Sequence, residues 1–468
     1  MHGKLLLSGK PKVTPENLGE AIQQAIEIEI ATIPVYLYTY YTINRTPDQA
    51  ALIKSITASL QKAKYKSLDI ESKALEYATR IQVYANKAGA VIMSVAIEEM
   101  LHMSLSSNLK QALVGMPELT GKSPNSWPAY LPGHVPEFPI SRAPYSKDTL
   151  KTFLKIESPT KIPENNLKVE KAIDYTTIGK FYEMIVKCIK DNKFSYNKKA
   201  PQLVPGRGYY ANNNVDTLYY DKHHKPHFTN ADDSGDLIHI VNDETALRAI
   251  KMICDQGEGH KAATPLNKDG SVNCKKPTAQ DYDDKEHKEL SHFEKFAQLY
   301  CELEELEFKF KEAGLSDPLS YFVYNTATNP MNADFPDVIK KVSKLLNAVY
   351  SYIFLMSEDC YRKDENTQYE IFMFGIHKSM IWILNNLCQA MTALNYIGPD
   401  GKAYVAAATF EEIQFSADSS PKSQVIAMFN EAADAYSSIA YLKDRIHDLP
   451  DVSIEPYLAS PKRTSLFA

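Results

Sequence analysis

The chain has 468 residues, 44% of them apolar, and a formal net charge of −6. Its length allows a large core and two or three domains. The acidic balance, with no basic stripe interleaved with aromatics, argues against a general nucleic-acid binder. The longest apolar runs fall short of the roughly 18 residues that span a bilayer. Leu5-Leu6-Leu7 is too short for the apolar part of a signal segment, so no membrane association and a cytoplasmic location are expected. Six cysteines (188, 254, 274, 301, 360 and 388) show no CxxC pair. They are expected to be reduced, mostly buried thiols rather than a zinc site.

In chain order, residues 15–43 read as a first helix. Pro15 sits at its first turn, and Leu18, Ala21, Ile22, Ala25, Ile26 and Ile33 keep helical period. Pro34 inside this pattern removes one backbone hydrogen bond and predicts a kink. Residues 47–114 form a second long helical stretch, interrupted somewhere in 67–86, with a stop at Gly115 and Pro117. Residues 116–170 carry nine prolines and predict a wrapping segment with short extended pieces and a short helix at 147–154. Helical period returns at 174–192. Residues 195–240 are rich in Tyr, Asn, Asp, Gly and His and predict an excursion with a few strands. Further helices are expected at 243–257, 286–313, 334–357, 367–394 and 423–446, with a polar loop at 259–284 and a tail over the last 20 or so residues.

The chemistry concentrates in Ile97-Glu98-Glu99-Met100-Leu101-His102. Glu99 and His102 lie at i and i+3 in an apolar helical run, so both side chains leave one face and can grip one metal ion. A buried two-metal site needs about four carboxylates and two imidazoles to neutralise two dications. Acidic residues on apolar helix faces are therefore candidates. Glu27 and Glu29 differ by about 200° around their helix and cannot face one side together; Glu29 is the candidate, with Tyr36 seven residues further on the same face. Glu183 is the lone acid in an apolar stretch, although exposure is the default for such a residue. Glu258 lies between Gly257 and Gly259, where the backbone can approach a site closely, or it is a plain exposed helix end. The remaining imidazole could be His260, His287 or His292. The triplet His223, His224 and His227 reads as solvated.

With these residues laid out, the chain resembles the ferritin-like family named for the iminophenyl-pyruvate dimer synthase domain, found in chromopyrrolate-type enzymes of violacein and rebeccamycin biosynthesis. Ala25–Tyr38 (AIEIEIATIPVYLY) looks like the family's first helix, and Ile97–Leu109 (IEEMLHMSLSSNL) looks like its second. Leu154–Pro159 is similar to its IE-x-P step. Thr177–Ile185 (TIGKFYEMI) and Ile253–Gly259 (ICDQGEG) resemble its third and fourth helices, and Ser291-His292-Phe293 its SHY/SHF element. Several short motifs in order are more specific than one Glu-x-x-His.

The resemblance implies the metal ligands Glu29, Glu99, His102, Glu183, Glu258 and His292. It implies two Fe ions, or Fe with Mn, in a mainly α, ferritin-like four-helix bundle with additional C-terminal helices and long loop or short-strand insertions. The expected division is a di-metal bundle at 1–320 with insertions at 116–170 and 195–240, a helical extension at 321–450, and a tail at 451–468. The implied activity is that of an O2-dependent di-iron oxidase or oxygenase. Its substrate would be a small amino-acid-derived amine or imine of specialised metabolism, oxidised or oxidatively coupled. The alternative is an iron-binding, ferroxidase-type protein without an organic substrate. Tyr36 is the catalytic candidate, as a hydrogen-bond donor to the cluster or a one-electron relay, beside the reading of a packed core tyrosine. The expected partners are a small-molecule substrate and O2, with a homo-oligomer compatible. The family's usual second Glu-x-x-His is expected to be split here between Glu258 and His292.

Overall fold

The computed structural model describes residues 13–65, 69–159, 173–210, 236–258, 272–274 and 290–454. His223, His224, His227, His260 and His287, most of the 195–240 excursion and most of the 451–468 tail lie outside them.

Helix α1 (Leu18–Tyr41) continues through Pro34 and is buried on nearly every face. A helix apolar all round belongs inside a core. Helix α2 (Gln49–Lys62) is capped by Asp48, whose side chain accepts from Ala51 N. Helix α3 (Ile70–Leu113) follows, so the interruption falls before residue 70, at the early end of the expected window. Its 44 residues span roughly 66 Å. An 18-residue window of α3 is apolar enough to cross a membrane, but 89% of that window is buried inside the protein, as expected of a core helix. Helices α1 and α3 pack along each other, and α2 lies on α3.

The proline-dense segment holds a two-residue antiparallel ladder, β1 (Ala129–Tyr130) with β2 (Pro139–Ile140), in which Ala129 faces Ile140. Then come α4 (Lys147–Ile156), α5 (Ile178–Asp191), α6 (Asp243–Gln256) and α7 (His292–Glu312). Each begins at a side-chain cap that satisfies an orphan backbone N–H: Ser146, Thr177, Asn242 and Ser291. Helix α4 packs on α7, α6 and α7 on α3, and α5 on α6 and α1. No strand occurs among the described residues of 195–240.

A second helical layer follows. It contains α8 (Asp337–Cys360), α9 (Glu365–Glu370), a π-type turn segment (Ile371–Ile383), α10 (Leu384–Met391), the hairpin β3 (Asn395–Ile397) with β4 (Ala403–Val405), α11 (Pro421–Ala435) and α12 (Lys443–His447). The hairpin was not expected from the pattern. Buried Glu358 and half-buried Glu412 tie this layer to the bundle. Glu358 on α8 accepts from Leu119 N and Thr120 N, at 3.0 and 3.1 Å. Glu412 accepts from Gly121 N and, at 3.1 Å, from Ser123 N. Lys122 in the same loop pairs with Glu27 of α1 at 3.2 Å. Glu27 is therefore buried too: α1 is enclosed on both sides, so two glutamates about 200° apart each meet protein.

The thiol expectation needs correction. Cys274 and Cys301 form a disulfide, with Cα atoms 5.4 Å apart. Their 27-residue separation carries no local signature, because the pairing is made when the chain returns along α7. Cys188, Cys254, Cys360 and Cys388 are free.

Burial pushes the Glu412 carboxyl from its ordinary 4.5 up to about 7, against the pull of the Gly121 and Ser123 N–H groups. A carboxyl with a raised folded-state value stabilises below its unfolded value and loses that contribution as pH rises through the folded one. Wild type is therefore expected to lose stability relative to Glu412→Gln between about pH 4.5 and 7, on the order of 3 kcal/mol in all. Paired urea melts across this range check it, and parallel curves for the two proteins would sink it.

Candidate metal centre

The site forms where the middles of α1 and α3 meet the ends of α4, α6 and α7. Helix α1 contributes Glu29, and α3 contributes Glu98, Glu99 and His102, all buried. Glu157 is the C-cap of α4. Gln256 ends α6, and Gly257 is its C-cap. His292 is the first residue of α7, fixed there by a reciprocal capping box between Ser291 and Glu294.

One oxygen or nitrogen each from Glu99, His102 and His292 lie within 4.8 Å of one another. The two imidazole rings stack with centroids 5.3 Å apart. His292 Nδ1 is 2.9 Å from Glu99 Oε1 and 3.6 Å from Glu157 Oε2. It nevertheless sits outside hydrogen-bond geometry with both, a buried nitrogen without a bonded partner. Its other nitrogen, Nε2, contacts Glu98 Oε2 at 2.7 Å, and Lys295 Nζ, one turn along α7, holds both Glu98 oxygens at 2.8 Å. His102 Nε2 pairs with Gln256 Oε1 at 3.0 Å. Metal-binding imidazoles are usually oriented in this way, through the nitrogen that the metal does not take. An orphaned imidazole nitrogen between carboxylates, with its ring held from behind, fits a metal ion.

The carboxylates are held as deliberately. Thr32 Oγ1 donates to Glu99 Oε2 at 3.0 Å. Tyr182 OH donates to Glu29 Oε1 at 2.6 Å and pairs with Ser106 Oγ at 2.9 Å. Tyr36 OH donates to Glu157 Oε1, and its ring lies edge-on to Phe153 at 4.7 Å.

Electrostatics follow from burial and crowding. Burial and the neighbouring Glu99 carboxylate push Glu29 well above its ordinary value, and the same two causes raise Glu157. Burial alone would raise Glu99, but the His292 imidazole beside it holds it down to about 2. Burial would also raise Glu98, which Lys295 and His292 hold well below the usual range. Burial lowers His102 to about 4. Burial would lower His292 as well, but Glu157, Glu98 and Glu99 together hold it protonated far above its ordinary value. Without metal, protons on His292 and on the raised carboxyls balance the charge, and a bound cation would displace them.

The structure brings together Glu29, Glu99, His102, His292 and Tyr36. Glu258 is close by, since a Cβ on Gly257 would lie 3.6 Å from Glu157 Oε2. Its own carboxylate, however, seats on the first turn of α5, accepting from Gly179 N at 2.6 Å. Gly179 is needed there, because a Cβ at that residue would come 2.2 Å from Glu258 Oε2. Burial pushes Glu258 up to about 8.

Glu183 is the correction. Its side chain is 65% exposed and pairs with Lys180, because the buried face of α5 runs through Phe181, Tyr182 and Ile185. Two carboxylates were missed. Glu157 stood in the quoted Leu154–Pro159 step, and Glu98 adjoined Glu99. The tetrad Glu289-Leu290-Ser291-His292 also has Glu-x-x-His spacing. Glu289 lies outside the described residues, and α7 begins only at His292, so the helix-face argument does not extend to it.

A ferritin-like family model matches residues 22–301, more than half of the chain. No curated protein matches it. Among solved structures, a ferritin-like protein from Caulobacter vibrioides is similar at 16% identity and a TM-score of 0.41, covering 80% of this chain and 98% of its own.

Alanine at Glu99, His102, Glu157 or His292 is expected to abolish tight Fe(II) or Co(II) binding, measured by anaerobic titration. Glu183→Ala is expected to bind as wild type does. Metal loss in Glu183→Ala, or retention in Glu157→Ala, would overturn this arrangement. Tyr182→Phe removes only the hydroxyl that positions Glu29, so about a 10–100-fold weaker affinity is expected, together with an altered Co(II) absorption spectrum.

Proposed function

The chain belongs to the ferritin-like family, and from that premise we propose that it is a non-haem di-iron oxidase or oxygenase. Its substrate would be a small amino-acid-derived amine or imine, and the closer kinship is with the iminophenyl-pyruvate dimer synthase group. The observation that carries the reading is the buried nitrogen–oxygen cluster of Glu99, His102 and His292, with Glu29 and Glu157 on either side of Glu99. Glu99, His102 and His292, with Glu29 and Glu157 close by, would hold two cations. Iron, or iron with manganese, would supply the binding and reduction of O2.

The roles of the chain's own residues follow from their contacts. His292 and His102 present imidazoles whose rings are fixed by Glu98 and Gln256. Glu29 and Glu157 are carboxyls, each bonded to a phenol, so each can hold or yield a proton where it stands. Tyr36 touches Glu157 directly, which makes it the group of choice for passing a proton or an electron toward the cluster. The rings of Phe153 and Phe296 pack on Tyr36 and exclude water from that side. Partners in this reading are O2 and a small molecule, with neither nucleic acid nor membrane. A cytoplasmic location belongs to the proposal too; the Cys274–Cys301 disulfide weighs against it, since disulfides are rare in that compartment.

Anaerobic Fe(II) titration is expected to saturate at about two ions per chain. O2 uptake by the loaded protein is then expected to depend on an added aromatic α-imino acid or amine, with an oxidised or coupled product seen by mass spectrometry. Binding of fewer than one ion per chain would sink the metal reading. Iron oxidation and retention with no substrate-dependent O2 uptake would favour the metal-handling alternative.

A further inference from the structure

Arg142 lies just past β2 and is fully buried. Its backbone N–H donates to Asn329 Oδ1 and its carbonyl accepts from Asn329 N, each at 2.8 Å. The guanidinium stacks over the Trp127 ring, 4.9 Å from its centroid. Among the described residues, its side-chain hydrogen bond is Nη2 to Met331 Sδ at 3.5 Å, a weak acceptor. Among the described residues, Nε and Nη1 have no hydrogen-bond partner, and neither does the buried Trp127 Nε1. No carboxylate of the described residues makes an ion pair with Arg142. Glu411, which acts on it through space, instead accepts from Asn332 N at 2.7 Å. Burial lowers Arg142 only to about 10, so it keeps its charge at neutral pH.

A buried charge is tolerated when it is paired and its donors are satisfied. Guanidinium and indole N–H groups are donors only, so whatever satisfies them must accept, and whatever balances Arg142 must be negative. Water would meet the first need but not the second. From these two independent donors we infer that Arg142 and Trp127 form a binding site for a small monoanion, a halide or a small carboxylate. The site stands at the seam between the bundle and the C-terminal helical layer, where Tyr38 of α1, Glu411 and Tyr350 of α8 are its electrostatic neighbours. The enclosure of the guanidinium selects an anion of few atoms over a phosphate ester or a nucleotide.

The test uses the full chain without added metal. At constant ionic strength set with gluconate, chloride or formate is titrated while the unfolding temperature is followed. A saturable rise of about 2–3 °C is expected at a hundredfold excess over the dissociation constant, and it should be absent in Arg142→Gln. Saturation by chloride alone identifies a halide site, and saturation by formate a carboxylate site. Should Arg142→Gln fail to fold, fluorescence replaces it. The chain has two tryptophans, and Trp382 is half-exposed elsewhere. Trp382→Phe therefore leaves Trp127 as sole reporter, and its emission should change saturably with the same anion. Unfolding temperature and Trp127 emission that follow ionic strength alone, whatever the anion, would overturn the proposal.

Discussion

The constraint on which the rest of this molecule depends is the burial of Glu29, Glu98, Glu99 and Glu157 around one small volume between α1, α3, α4 and α7. Several ionised carboxylates in a dry core are untenable unless each is paired, bonded or protonated. Every one of them has such an answer here. Lys295 and His292 hold Glu98; Thr32 bonds Glu99, which has the His292 imidazole beside it; Tyr182 holds Glu29 and Tyr36 holds Glu157. The carboxylates and their partners together come from five segments, α1, α3, α4, α5 and α7, so the cluster cannot form until those segments have packed. That requirement explains why α1 and the second half of α3 are buried all round, where an ordinary amphipathic helix would leave one face to solvent.

The half of the site on α1 and α3 was legible in the sequence, and the half on α4, α6 and α7 was largely not. Glu29, Glu99 and His102 sit within long helices, where an acid or an imidazole interrupting an apolar face is visible against helical period. Glu157, Gln256 and His292 sit at helix termini, where period carries no information and the direction of a side chain is set by caps and tertiary packing. His292 was one of three candidate imidazoles and was singled out only through its family element, although its Ser291/Glu294 capping box was itself readable. Glu157 lay in a quoted motif, but a C-cap followed by Ser-Pro has no face to argue from.

Helix α5 shows how a correct element can carry the wrong residue. The sequence TIGKFYEMI does bring the helix to the metal centre, and all three of its contributions are polar. Thr177 and Gly179 seat Glu258, and Tyr182 bonds Glu29. Glu183 is one residue beyond Tyr182, which is about 100° around the helix, and that rotation carries it into solvent. Reading acids as ligands favoured the carboxylate; a count of the donors that buried carboxylates need would have favoured the phenol. The ring carries its hydroxyl into the core within an apolar body, which an exposed glutamate cannot do.

The same logic extends past the metal centre. In the 118–123 loop the charges are matched by backbone N–H groups and by Lys122, so the second helical layer is fastened to the bundle through buried Glu358 and Glu27 and half-buried Glu412. Breaking one partner of such a set costs more than the set contributes when whole, because the survivor is left charged and dry. The seam between bundle and C-terminal layer is therefore expected to separate cooperatively, its carboxylates being lost together. Arg142 is the exception on that seam: a cation with the burial of its neighbours and, among the described residues, without an ion-pair partner.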